Sequence, residues 1–314
     1  MQMQEHVLSF KVENQNQGEV YIDIAKAMSI CGRRLFRQQG LWHVHGVCTY
    51  ADVIDAADPL QTIGVPYTVS ISGAPRNWVT RNALVKAFEK WKDQQAKAYD
   101  AQGTDSFKPK WQDFKVWLND NHRNSGDLIP VSGHMFGASP AYIAGQWDHS
   151  QFVIEEGMTN PGVITEQTPE LHILGPDNGY TNMGIINAYQ ESRALPQSPD
   201  PLVPVGGSTN LYALSEDALA DQDAQIVADQ MTSGSREPPY DLDQYPGGEA
   251  NGIEPILYSF GANSSTAKRK LSLNGFAAPN GLIEIQFDKN TGTQAIENTG
   301  EFWIQLFVSH REAY

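Results

Sequence analysis

The sequence predicts an all-β fold, a sandwich or barrel of short antiparallel strands carrying one or two helical insertions. Segments with period-two alternation dominate, because successive strand side chains point to opposite faces. Clusters of Gly, Pro and Asn separate them, and the strand–helix alternation that builds a parallel sheet does not occur. The 314 residues are read as one domain, since sandwiches often run to about 200–250 residues as a unit. Insertions into it are placed at about residues 77–99 and 193–252.

Taken in order, Val20, Ile22 and Ile24 alternate with Tyr21 and Asp23, and Trp42–Tyr50 is a second strand candidate. Tyr67, Val69 and Ile71 alternate with Thr68 and Ser70 and stop at Gly73-Ala74-Pro75. From Asn77 to Tyr99, Leu84, Phe88 and Trp91 form an i, i+4, i+7 stripe among charged residues, which predicts a helix docked by one face. Trp111–Leu118, Phe152–Glu155, Leu171–Leu174, Met183–Tyr189 and Ile256–Phe260 are further strand candidates. Between the last two, Arg193–Gly207 and Gly234–Gly252 are proline-stiffened loops. A second helix is expected at Ser215–Met231. Asn274-Gly275, Asn280-Gly281, Asn290-Thr291-Gly292 and Asn298-Thr299-Gly300 supply the positive φ of tight turns. They frame the two clearest strands, Ile283–Phe287 and Phe302–Val308.

The composition fits a chain that buries a core: 40% hydrophobic, 10% aromatic and 19% charged residues. No run of 18 apolar residues occurs, and the opening Met1-Gln2-Met3-Gln4-Glu5-His6 lacks the basic and apolar regions of a signal peptide. A soluble chain without membrane insertion is therefore expected. Two cysteines, Cys31 and Cys48, are read as too few for a disulfide framework or a four-ligand zinc site and as buried thiols. The net charge of −15 is segregated: residues 1–125 hold 15 Lys/Arg against 13 Asp/Glu, and residues 126–314 hold 7 against 24. If the fold puts these parts on different surfaces, one face is near neutral or basic and the other strongly acidic, which suits a shell with an inside and an outside, and ordinary acidic solubility explains the charge equally well. The stretch Glu216–Glu249, nine acids with Arg236 its one base, is expected on an outer surface or at subunit contacts.

The chemical signatures are few. No phosphate loop, dinucleotide fingerprint, zincin helix or nucleophile elbow is present. His43-Val44-His45 puts two imidazoles on one strand face, the start of a metal site of the kind cupin enzymes use. The cupin pattern then needs a glutamate within a few residues, whereas Gly46-Val47-Cys48-Thr49-Tyr50 follows and the nearest acid is Asp52. A polar strand face or a subunit contact is the plainer reading. Asp241, Asp243 and Glu249 around Gly247-Gly248 offer oxygen ligands to calcium, though without the twelve-residue loop pattern, and also read as a solvated acidic loop. Arg33, Arg34 and Arg37, and separately Lys268, Arg269 and Lys270, are two small basic clusters able to meet nucleic-acid phosphates. A glycan-binding sandwich is an alternative because seven tryptophans are available for stacking. Of these, Trp42, Trp91, Trp111, Trp117 and Trp303 fall in expected strands or helix, where core packing is their plainer role, leaving Trp78 and Trp147 in loops.

Trp111-Gln112-Asp113-Phe114-Lys115-Val116, Met183-Gly184-Ile185-Ile186-Asn187-Ala188-Tyr189 with Glu191-Ser192-Arg193 and the prolines after it, Glu237-Pro238-Pro239-Tyr240-Asp241 with Tyr245-Pro246-Gly247-Gly248, and Gly281-Leu282-Ile283-Glu284-Ile285 resemble segments of coat proteins of small circular Rep-encoding single-stranded DNA viruses of the marine, environmental kind. The resemblance implies an eight-stranded antiparallel jelly-roll sandwich that self-assembles into an icosahedral capsid around a single-stranded DNA genome, with long loops outside or between subunits. It implies no catalytic residue and no cofactor, with calcium or another cation the ion that acidic subunit contacts would take. The expected partners are further copies of the chain, viral DNA and a host receptor, and the expected location is the virion. Many such relatives begin with a long Arg/Lys arm, whereas the first 20 residues here hold Lys11 as their single base.

Overall fold

A computed structural model describes residues 6–12, 19–51, 67–103, 111–132, 140–145, 149, 151–160, 163–177, 179, 181–194, 254–261, 269–289 and 302–312. In chain order the elements are β1 (His6–Val12), β2 (Glu19–Asp23), α1 (Ile24–Gly32), β3 (Leu41–Ala51), β4 (Tyr67–Gly73), α2 (Trp78–Gln102), α3 (Asp120–Ser125) and β5 (Ile154–Asn160). Beyond these come β6 (Val163–Gln167), β7 (Glu170–His172), β8 (Asn182–Gly184), α4 (Ile185–Ala194), β9 (Glu254–Gly261), β10 (Arg269–Pro279), β11 (Leu282–Lys289) and β12 (Phe302–Glu312). The chain divides into two compact units, one of Met1–Tyr189 with Pro246–Tyr314 and one of Gln190–Tyr245. The second overlaps the expected insertion at 193–252, and the first holds the two large sheets.

The first unit is mostly β. Eight strands make two four-stranded antiparallel sheets, in the orders β1-β12-β3-β10 and β2-β11-β4-β9. Alternation explains why they share one core: Leu8 and Phe10 of β1, Val44 of β3, and Ile304 and Leu306 of β12 enter it from one sheet. Ile22 of β2, Val69 and Ile71 of β4, and Ile283 and Ile285 of β11 enter it from the other. Phe287 packs on Phe302 across the gap, with ring centroids 4.6 Å apart. The β10–β11 hairpin turns at Asn280 (φ 55°) and Gly281 (φ 74°), the two positive values a tight reversal needs.

The expected helix at 77–99 is α2, capped where Asn77 Oδ1 accepts from Thr80 N at 2.8 Å. Leu84 and Trp91 of its stripe are buried, and Phe88 stacks on Trp91 with centroids 5.8 Å apart. The helix expected at Ser215–Met231, the turns at 290–292 and 298–300, Trp147, and the acidic stretch Glu216–Glu249 lie outside the described residues.

Four expectations are corrected. The strand placed at Met183–Tyr189 is β8 followed by helix α4; Ile185, Ile186 and Tyr189 sit at i, i+1 and i+4, a helical spacing that a short apolar run conceals. The strand placed at Trp111–Leu118 is extended chain whose one ladder contact is a parallel bridge from Trp117 to His172. The alternation running on to Ile24 ends one residue earlier, because Asp23 caps α1 by accepting from Lys26 N at 3.0 Å. Asn274-Gly275 is not a turn but lies inside β10, opposite β3. Among the cysteines Cys48 is buried, Cys31 is half-buried, and both are free.

Candidate nucleic-acid interface

Chain 111–128 crosses the outer face of β2 and β11. Leu128 N donates to Tyr21 O at 2.9 Å, and His122 stacks on Tyr21 with centroids 4.8 Å apart. This cover explains why Tyr21, Asp23 and Glu284, on the polar face of the alternation, are buried. Gln38 ties the cover to the sheet. It accepts from Val116 N at 2.8 Å and donates to Val116 O at 3.1 Å and to Asp23 Oδ2 at 2.7 Å.

Beneath the cover lies a network of charges. Asp127, its side chain 2% exposed, accepts from Lys26 Nζ at 2.6 Å and Lys115 Nζ at 3.0 Å through Oδ2, and contacts His122 Nε2 at 2.7 Å through Oδ1. His122 Nδ1 accepts from Leu118 N at 3.1 Å, so Nε2 carries the proton and donates to Asp127. Burial works to raise the Asp127 pKa, but the His122 hydrogen bond and the two ammonium groups outweigh it and hold the carboxyl well below the usual range. Asp23 has an amide and a backbone N–H as its donors; burial, then the Asp127 charge, pushes it up. Of the two carboxylates, Asp127 is the lasting anion.

Asp113, at the edge of this network, is pushed up to about 6 by burial and then by the charge of Asp23. Its Oδ1 is buried without a hydrogen-bond partner. The folded state therefore binds this proton more tightly than the unfolded chain, and stability falls as pH rises from the ordinary aspartate range near 4 through 6. Asp113→Asn is expected to stabilise the protein by about 1–2 kcal/mol above pH 6, a gain that shrinks to nothing as pH falls towards 4. Urea unfolding across that range reads it directly; equal stability of the two proteins at pH 7.5 refutes it.

The network faces a narrow cavity of about 120 Å³, and at the carboxyl end of α1 a wider one of about 450 Å³ shares its Ser29, Ile30 and Gly145. Arg33, Arg34, Leu35, Trp111 and Ile143 complete the wider wall. The local sequence builds this wall. Ser29 Oγ donates to Ala25 O at 2.7 Å and accepts from Phe36 N at 2.8 Å, folding residues 33–36 back on the helix. Arg33 is the C-cap and takes a left-handed φ of 51°, where glycine is favoured. The Arg34 guanidinium lies 4.4 Å from the Phe36 ring centroid, a cation–π contact that orients it. Arg37 donates from Nε and Nη2 to Gln112 O at 3.3 and 3.0 Å, and Gln112 Nε2 donates to Gln95 Oε1 of α2 at 3.0 Å. Trp111 is thereby held beside the arginines, 51% exposed, with Ile143 95% exposed across from it.

The sequence candidates fall out unequally. Arg33 and Arg34 line the cavity, while Arg37 secures the Trp111 segment. Arg269 and Lys270 stand at the opposite end of the sheet, paired with Ala51 and Tyr50. The length of β3, about 30 Å at roughly 3.3 Å per residue, divides them from the first cluster. Lys268, like Asp241, Asp243 and Glu249, lies outside the described residues. His43 and His45 are on the outward face of β3, His43 half-buried and His45 exposed. Among the described residues no group of three His, Cys, Asp or Glu is placed to hold a metal. His122 has both ring nitrogens engaged and no exposed surface, as does His172 with Asn182 and Gly175, so both are structural. Reasoning from sequence assigned Trp111 to the core and so missed it; its place between two polar residues, Lys110 and Gln112, was the available signal.

An apolar groove of about 180 Å³ between α2 and α4, lined by Ala83, Leu171, Met183, Ile185 and Tyr189 with Lys86 at its rim, offers no acid–base pair among the described residues. No helix among the described residues is long and apolar enough to cross a membrane. The chain matches no family model, no curated protein and no solved structure.

Proposed function

We propose that the chain is a viral coat protein that self-assembles into an icosahedral shell around a small single-stranded DNA genome. The observation that carries this is strand order. Numbering the eight sandwich strands β1, β2, β3, β4, β9, β10, β11 and β12 from one to eight, the sheets read 1-8-3-6 and 2-7-4-5. That order supports a jelly roll, in which the chain changes sheet at nearly every turn, a wedge that tiles closed shells. Strand order alone hosts many functions. A further feature favours a shell: charge is segregated along the chain. The part is then structural rather than enzymatic, its partners being copies of itself, the genome and a host receptor.

Assembly is the test. Recombinant protein is expected to form closed particles or capsomer oligomers by negative-stain microscopy and sedimentation velocity. A strictly monomeric species at every salt concentration and pH tried refutes the reading.

A further inference from the structure

We propose that the cavity at the carboxyl end of α1 binds single-stranded nucleic acid, one unstacked base lying on Trp111 and the flanking phosphates held by Arg33 and Arg34. The inference rests on the coat-protein reading for its purpose, but on the cavity alone for its chemistry.

Four observations converge. An indole 51% exposed forms one wall of a cavity of about 450 Å³, with the exposed Ile143 also lining it. A half-exposed aromatic surface accepts any base by stacking on its exposed part, worth about 1–3 kcal/mol per base. Among the described residues the lining holds two guanidinium groups and no carboxylate, in a chain whose net charge is −15. The end of α1 contributes about half a negative charge, which two arginines outweigh, so the cavity selects an anion. Arg33 keeps a left-handed backbone where glycine is the favoured residue, a local cost that marks the side chain rather than the turn as the reason for its presence. Finally, Arg37 and Gln112 fix the spacing of the two walls, so the platform and the charges are organised before a ligand arrives. A duplex keeps its bases stacked and cannot use the indole, which commits the site to single strands.

The test uses the full chain and fluorescence anisotropy of labelled oligothymidylate, oligouridylate and a DNA duplex over a range of salt. Arg33→Gly removes one guanidinium while suiting the backbone, and Trp111 is half exposed, so both replacements leave the fold intact. Trp111→Ala is expected to weaken single-strand binding by about 5- to 100-fold with the salt slope unchanged. The Arg33→Gly, Arg34→Gln variant is expected to flatten the slope of log K against log salt by about 1.4, two phosphates at about 0.7 each. The two oligonucleotides distinguish a DNA from an RNA ligand. Unaltered binding by Trp111→Ala, an unaltered slope in the arginine variant, or duplex binding equal to single-strand binding overturns the site. Particle formation by the same proteins separates the two readings: shells with unaltered binding sink the site alone, while the expected binding pattern in a strictly monomeric protein sinks the shell alone.

Discussion

Asp127→Ala lowers the stability of the unit by about 3–5 kcal/mol, the range for removing one partner from a buried ion pair. The loss arises from what is left behind. Lys115, its side chain 13% exposed, and Lys26, at 32%, lose their shared carboxylate, and the proton on His122 Nε2 loses its acceptor in a fully buried ring. Against a typical total of about 5–15 kcal/mol, that brings the protein close to unfolding at ambient temperature. The expected reading is a much lower urea midpoint with an unchanged slope. Asp23→Asn, in the same network, is expected to cost less, about 1–3 kcal/mol. Asparagine still caps α1 at Lys26 N and the repulsion from Asp127 is relieved, but its amide nitrogen cannot accept from Gln38 Nε2. Equal losses in the two variants refute the assignment of the anion to Asp127. The same assignment fixes the acid limb. Because the Asp127 carboxyl is held below its unfolded value, its contribution is complete above the ordinary aspartate range and is lost as pH falls below about 4. Asp127→Ala lacks this limb, so its stability depends less steeply on acid than that of the unaltered protein.

This network shows where the sequence ceased to be legible. Period-two alternation identified β2, β4, β11 and β12 because each buries one face in the shared core, and that much is a local property. The same alternation assigned Tyr21, Asp23 and Glu284 to a solvent face, yet chain 111–128 covers them. No pattern within β2 records that a segment about a hundred residues away will lie across it. Trp111 is the converse: its strand-like neighbours, Phe114, Val116 and Leu118, are buried, while the indole at the start of the segment points outward. The chemistry of Arg33 and Arg34 was readable from composition, but the platform beside them came from a hydrogen bond between Arg37 and Gln112, 75 residues apart. Helix α1 was readable in principle. Asp23 followed by Ile24-Ala25-Lys26-Ala27-Met28 is a cap and a run of good helix formers, hidden by the strand that leads into it.

The two Asn-Gly pairs in β10 and its hairpin carry the same local signal and have opposite roles, and Gly275→Ala separates them. Asn280-Gly281 makes the turn; Asn274-Gly275 lies within the strand, with Asn274 opposite Gly46 and Phe276 opposite Val44. A Cβ on Gly275 would stand 2.5 Å from His45 O and 2.7 Å from Val44 O. Both neighbours are backbone atoms of β3, the strand that also pairs with β12, so no side-chain rotation relieves the contact. Either β10 peels from the edge of its sheet or β3 bends, and an overpacked site of this kind costs about 1–3 kcal/mol or more. The expected result is a loss near the top of that range, with hydrogen exchange accelerated in β10 before the rest of the sheet. Gly103→Ala is the contrast: its φ of 63° is unsuited to alanine, but among the described residues no atom beyond its chain neighbours lies within 4 Å of the new Cβ, so its penalty is the backbone term alone, about 1 kcal/mol. A loss at Gly275 no greater than that at Gly103 would mean that β10 is not seated against β3 in the register described.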